Sequence, residues 1–273
     1  MPFPGITHPL RPSRAAAPGT PAWPTFTGTA TVVGTSNNGV TVYVDQALGS
    51  QGMQDAQSLL SSADNVVTQN NTIFGITGGA VDVIVYAIGG ATDGTGGADH
   101  GGCDFTTGNA IEVDASYGSP NREVALFEAE LSECAMNGSL CGYSNGEALS
   151  RWCAAVVSSN ALADFATAPA WAQAGMPNWV DQTEQTDQDA VSTGCGMAFI
   201  SWLLSQGYHL PQIAQAMVAL GDSGTLATLY AQLTGDAATN ARSKFQAAVA
   251  ALPGGVTNDD PFNGFSNAMP SSA

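Results

Sequence analysis

Positive charge is scarce in this chain. Of 273 residues only six are Lys or Arg, against 23 Asp plus Glu, which gives a net charge of −17. Lys244 is the only lysine, and Arg11, Arg14, Arg122, Arg151 and Arg242 are scattered. Binding a phosphate backbone takes clustered cations, so the composition argues against a nucleic-acid partner. Attraction to an anionic membrane surface fails for the same reason, and no apolar run approaches the roughly 18 residues of a membrane span. The first 23 residues contain no apolar core of the kind a secretory signal needs. Acid richness with lysine scarcity nevertheless favours an extracellular setting by analogy of composition, and the compartment stays open. Histidine is rare too, at three residues. The five cysteines (Cys103, Cys134, Cys141, Cys153, Cys195) form no C-x-x-C pair, and an odd count leaves one thiol free unless it pairs between chains. The chain has no G-x-S-x-G elbow around Ser150 or Ser192 and no G-x-G-x-x-G turn between strand and helix, so neither a serine hydrolase nor a dinucleotide site is expected.

What is present is a globular pattern, 44% apolar, long enough for one large domain or two small ones. Residues 1–25 carry Pro2, Pro4, Pro9, Pro12, Pro18, Pro21 and Pro24 and read as an extended arm, since each proline fixes φ and removes a donor. Thr/Val alternation, an Asn37-Asn38-Gly39 turn and V-T-V-Y-V-D then predict a hairpin. Apolar positions three and four apart over residues 51–69 predict a helix backing the sheet. Val81, Val83 and Val85 alternate with Ile84 and Tyr86 in a central strand. A Gly-rich loop follows over residues 91–105, and then a short strand with Ile111 and Val113 inward. Beyond Pro120 the period becomes helical, with Val124, Phe127, Leu131 and Ala135 as a stripe, and from there only helices are predicted. The expected fold is α+β: a twisted N-terminal sheet with a backing helix and an active-site-type helix, then an all-helical half. The expected divisions are an arm at 1–25, a sheet-plus-helix part at 26–138, a helical part at 139–253 and a polar tail at 254–273.

Four of the seven glutamates, Glu123, Glu128, Glu130 and Glu133, fall in the helix that follows Pro120. At about 100° per residue Glu130 and Glu133 project within about 60° of each other, while Glu128 points elsewhere. Glu147 opens the next helix, in N-G-E-A-L-S-R, and two antiparallel helices would bring three carboxylates together. Converging carboxylates need protonation or a cation to offset their repulsion. His100, in D-H-G-G-C-D, is the candidate to reach them from the loop.

The order of elements over about residues 29–160 resembles the zincin metallopeptidases, in the gluzincin arrangement. In that family an H-E-x-x-H helix is followed by a helix bearing a glutamate ligand. Residue by residue, the resemblance puts Glu130 on the general base, Glu133 where the second histidine stands, Glu147 on the third ligand and Ala129, which has no donor atom, on the first ligand. It implies hydrolysis of a peptide or other polymer by water activated at a metal. With both histidines replaced, the metal ligands left by the motif are Glu133 and Glu147, an ordinary zinc site is not expected, and the cofactor is open, a divalent cation with oxygen ligands such as calcium being one option. The catalytic set read this way is Glu130, Glu133, Glu147 and His100.

Two other readings stand beside it. The missing histidines suit a fold that lost catalysis and serves binding or assembly, with the Pro-rich arm exchanging between copies in a homo-oligomer. Paired carboxylates also suit a glycoside hydrolase. Bland roles compete at single positions: Glu147 and Arg151 are spaced for a helix ion pair, Asp187 or Asp189 for a helix cap, and Cys195 in T-G-C-G-M for a buried thiol rather than a nucleophile.

Overall fold

The computed structural model describes residues 21–106, 109–158 and 160–271. The fold is α+β, with a five-stranded sheet in the N-terminal half and mainly helices after it. Of the Pro-rich arm, residues 1–20 lie outside the described residues. The chain divides into two compact units, one comprising residues up to 138 except 73–75, the other residues 73–75 and 139 onward.

In the first unit the hairpin strands β1 (Ala30–Thr35) and β2 (Thr41–Asp45) pair antiparallel. Gly39 takes φ +88 in the turn between them, and the turn amides of Asn37 and Asn38 donate to the Asp64 carboxylate. Helix α1 (Gly49–Phe74) follows, longer at both ends than the apolar stripe alone indicates. Its buried positions, among them Ala56, Leu59, Ala63, Val66 and Val67, recur every three or four residues, the spacing that lays one helical face on a sheet. Strands β3 (Asp82–Tyr86) and β5 (Ala110–Asp114) run parallel to β2 and to each other.

The stretch expected to be an uninterrupted Gly-rich loop contains a strand, β4 (Ala98–His100), pairing antiparallel with β5 at the sheet edge. The sheet order is β1-β2-β3-β5-β4. Three residues flanked by glycines carry too little periodicity to signal a strand, and the ladder with β5 supplies the missing stabilisation. Helix α2 (Pro120–Ala135) closes the unit, its Pro at the first turn where no amide partner is lost.

The second unit is built on α3 (Ser144–Val157), α4 (Ala161–Asp164), α5 (Ala168–Gln173), α6 (Ala190–Ser205), α7 (Leu210–Leu220), α8 (Leu226–Thr234) and α9 (Ala241–Ala250). Helix α6 is buried along nearly its whole length. Gly194 and Gly196 explain how neighbours reach it: a Cβ on Gly194 would collide with the Thr167 carbonyl, and one on Gly196 with the Ala148 side chain. The T-G-C-G-M motif is thus a close-packing device. Trp171, Phe199, Trp202, Tyr230 and Phe245 form a continuous aromatic cluster, with ring centroids 5.0–5.7 Å apart along Trp171–Phe245, Phe199–Phe245 and Trp202–Tyr230. The segment read as a polar tail is packed: Asp259 is fully buried and accepts from the amides of Thr167 and Ala168, and Asp260 accepts from Ser201 Oγ and the amides of Gly264 and Phe265. Short polar residues can thus dock a chain end by binding backbone donors, which a hydrophobicity pattern does not register. No helix among the described residues is long and apolar enough to cross a membrane.

Candidate functional site: a histidine between two helix carboxylates

The residues that carry chemistry in the first unit meet where β4 faces α2. Side chains alternate across a strand, so His100, which lies opposite Ile111 in the β4–β5 ladder, shares its face, whereas Asp99 lies opposite Glu112 and shares the other. Glu130 and Glu133, one helical turn apart on α2, both point at His100. Its Nε2 is 3.1 Å from Glu133 Oε2 and 3.8 Å from Glu130 Oε2. All three side chains are at most 2% exposed. The expectation that Glu130 and Glu133 share a face and that His100 reaches them matches this geometry. The carrier of the histidine is an edge strand rather than a loose loop.

The other ring nitrogen fixes the proton count. Nδ1 lies 2.5 Å from the Gly102 carbonyl, which can only accept, so Nδ1 carries a hydrogen. The 3.1 Å contact at Nε2 then requires either a second hydrogen on the ring or a protonated Glu133. In both cases one proton is shared by the histidine and the carboxylate, compensating charge between side chains that are almost fully buried. The Asp99 carboxylate accepts from the His100 amide at 2.9 Å. Cys134 Sγ, 3.8 Å from the same Gly102 carbonyl, is a second donor there. Burial above all, then the negative charges of Glu130 and Glu133, holds that thiol well above its ordinary range, so it stays protonated.

The His100 imidazole nitrogen and the Glu133 carboxylate oxygen, 3.1 Å apart, have the spacing of two metal ligands. Ligands about 2.0–2.2 Å from a tetrahedral ion sit about 3.4 Å from one another. The pair is poor for calcium, which takes six to eight oxygens, and suits a transition ion better.

Glu147 belongs to the second unit. There Arg151 Nε donates to Glu147 Oε1 at 2.7 Å, and Arg151 Nη1 donates to the Phe165 carbonyl at 2.6 Å, with Glu147 1% and Arg151 7% exposed. The i, i+4 spacing is therefore used for an ion pair, and a buried one. Asp189 caps α6 by accepting from the Val191 amide at 2.8 Å. Cys195 is fully buried, and burial pushes its thiol up to about 12, which removes it as a nucleophile. Cys103 and Cys141 are disulfide-bonded, and Cys195 is a buried thiol.

Other buried acids were missed as participants. With Ile111 and Val113 on one face of β5, Glu112 and Asp114 lie on the other, and both are fully buried. Their signal was present: two acids at i and i+2 in an otherwise apolar strand. Glu123 accepts from the Ser116 amide at 2.7 Å, and burial raises it to about 8. Glu128 is completely buried, and neither carboxylate oxygen has a hydrogen-bond partner among the described residues; burial alone holds it well above the usual carboxylate range.

The chain matches no protein-family model, and no curated protein is recognisably similar to it.

Proposed function

We propose that this chain is a zincin-like hydrolase acting on peptides, with Glu130 as general base for the attacking water and the His100–Glu133 pair as the group that holds and returns the proton. The observation that carries the reading is the placement of His100 Nε2 3.1 Å from Glu133 and 3.8 Å from Glu130. A base and an acid that share a proton beside each other are what hydrolysis by general acid–base catalysis requires. The edge strand β4 beside α2 supports the same reading, since the zincin order of elements has an edge strand before the active-site helix. His100 and Glu133 would contribute ligands to a divalent transition ion where one is bound, and that ion would polarise the scissile carbonyl.

The experiment has two arms: metal content of the purified protein by mass spectrometry, and turnover of a quenched fluorescent peptide library. The reading expects peptide hydrolysis that falls by about 10²-fold or more in Glu130→Gln, with an unchanged melting temperature. Absence of turnover by the wild-type chain across the library, with and without added Zn²⁺, Mn²⁺ or Co²⁺, overturns it.

A second reading, a non-catalytic relative that serves binding or assembly, is favoured by one observation: the three side chains are 2%, 0% and 2% exposed, and Ala129 offers no ligand. On this reading the cluster holds β4 on α2, and Glu130→Gln changes stability rather than turnover.

A further inference from the structure

The other face of the sheet carries a second constellation, with no part in the His100 cluster. Glu112, in the middle of β5, is fully buried. Its Oε1 accepts from two successive main-chain amides, Thr25 at 2.9 Å and Phe26 at 2.7 Å, and its Oε2 accepts from Thr25 Oγ1 at 2.5 Å and Tyr86 Oη at 3.1 Å. Thr25 Oγ1 also bonds Tyr86 Oη. The aromatic residues on either side of this contact are seated as well: Trp23 edge-on to Tyr43, centroids 5.2 Å apart, and Phe26 tilted against Tyr86 at 5.1 Å. The segment itself is only partly covered, with Thr25 exposed and Trp23 and Phe26 half-buried.

The strand β5 has no local need for Glu112. A buried carboxylate in the centre of a sheet is costly unless donors surround it, and three of its four donors come from a segment 86–87 residues away. Such a segment could be held by strand pairing, through backbone alone. Here it is held instead by one charged acceptor on consecutive amides, a hydroxyl read by the same acceptor, and two aromatic seats at positions i and i+3. That is sequence-selective recognition of an extended peptide, by charge-assisted hydrogen bonds to the main chain and pockets for alternate side chains.

We propose that the Glu112 face of the sheet is a binding site for an extended peptide of the form aromatic-Pro-Thr-aromatic, occupied in this chain by its own residues 23–26. The cis segment acts as a competing ligand: tethered to its site, it has a high effective concentration and closes the face to peptides in trans until it is displaced.

The test uses the full chain and a fluorescein-labelled peptide of residues 21–28, P-A-W-P-T-F-T-G, read by fluorescence polarisation. Weakening the cis segment by Trp23→Ala, Phe26→Ala or both is expected to create saturable peptide binding at least about tenfold tighter than that of the wild type. On the same variants, a peptide N-methylated at the Phe26 position, which lacks one amide donor to Glu112, is expected to bind at least about tenfold more weakly, as is a peptide with Trp replaced by Ala. Glu112→Gln in the variant background should also lower affinity. Equal binding by wild type and variants, no binding by a folded variant, or indifference to the N-methyl group overturns the proposal. So does loss of the cooperative melting transition in both single variants, because a segment the fold cannot do without is not an exchangeable ligand.

Discussion

His100 and Glu133, 33 residues apart in the chain, hold one proton between Nε2 and Oε2 at 3.1 Å in a site with almost no solvent contact. The histidine stands beside both of these α2 carboxylates, Glu130 and Glu133. Removing it takes away one polar partner of each in a buried site. His100→Ala is therefore expected to destabilise the fold by about 3–5 kcal/mol, and adding Glu133→Gln should restore much of that loss. A double-mutant cycle in urea measures the coupling. Additive losses would show that His100 contributes packing only.

Glu147 and Arg151 form the equivalent pair in the second unit, and burial makes it strong to break. Arg151→Met is expected to cost about 3–5 kcal/mol by stranding the glutamate, and adding Glu147→Gln should restore much of that loss. A double-mutant cycle in guanidinium chloride reads the coupling. Additive losses would mean that the carboxylate finds its compensation elsewhere.

Glu123 predicts a pH-dependent stability. Its acid form is favoured in the folded state, with the folded value at about 8 against 4.5 for an ordinary glutamate, because burial opposes ionisation and the nearby Asp55 and Asp114 add to it. The folded state therefore binds the proton more tightly, so this stabilisation is complete below about pH 4.5 and is lost as pH rises toward 8. Glu123→Gln keeps an acceptor for the Ser116 amide and cannot ionise. It should match the wild type at pH 4.5 and exceed it at pH 8 by at least about 1 kcal/mol, roughly 2–4 °C in melting temperature. Calorimetry across this range decides; parallel curves would mean that Glu123 titrates normally.

Glu128 is the clearest candidate for stabilisation by substitution. It is fully buried with both oxygens unpartnered among the described residues. Glu128→Met replaces a desolvated acid by an apolar side chain of similar length, and about 1–3 kcal/mol of stabilisation is expected. Equilibrium unfolding measures it. A marked destabilisation would reveal a polar function for this side chain.

The chain order left clear marks of its main elements. Apolar residues three and four apart in α1 and α2, alternation in β3, and the Asn-Asn-Gly turn are local signals, because each element's period is set by its own backbone geometry. The helix face shared by Glu130 and Glu133 follows from the same periodicity. Strand β4 was not legible, since three residues among glycines become a strand only once β5 lies beside them. The burial of Glu128 and Asp259 was equally hidden: an acidic side chain reads as solvent-facing, and only the donors or walls brought from distant segments make its burial visible.

By itself the sequence determined the α+β class and the pairing of Glu130 with Glu133 on one helical face. Tertiary structure decided that His100 stands within reach of both, that the Glu147–Arg151 pair is buried, and that residues 23–26 lie on Glu112. The division is physical: local backbone periods are written in neighbouring residues, whereas the compensation of buried charge depends on groups that only folding brings together.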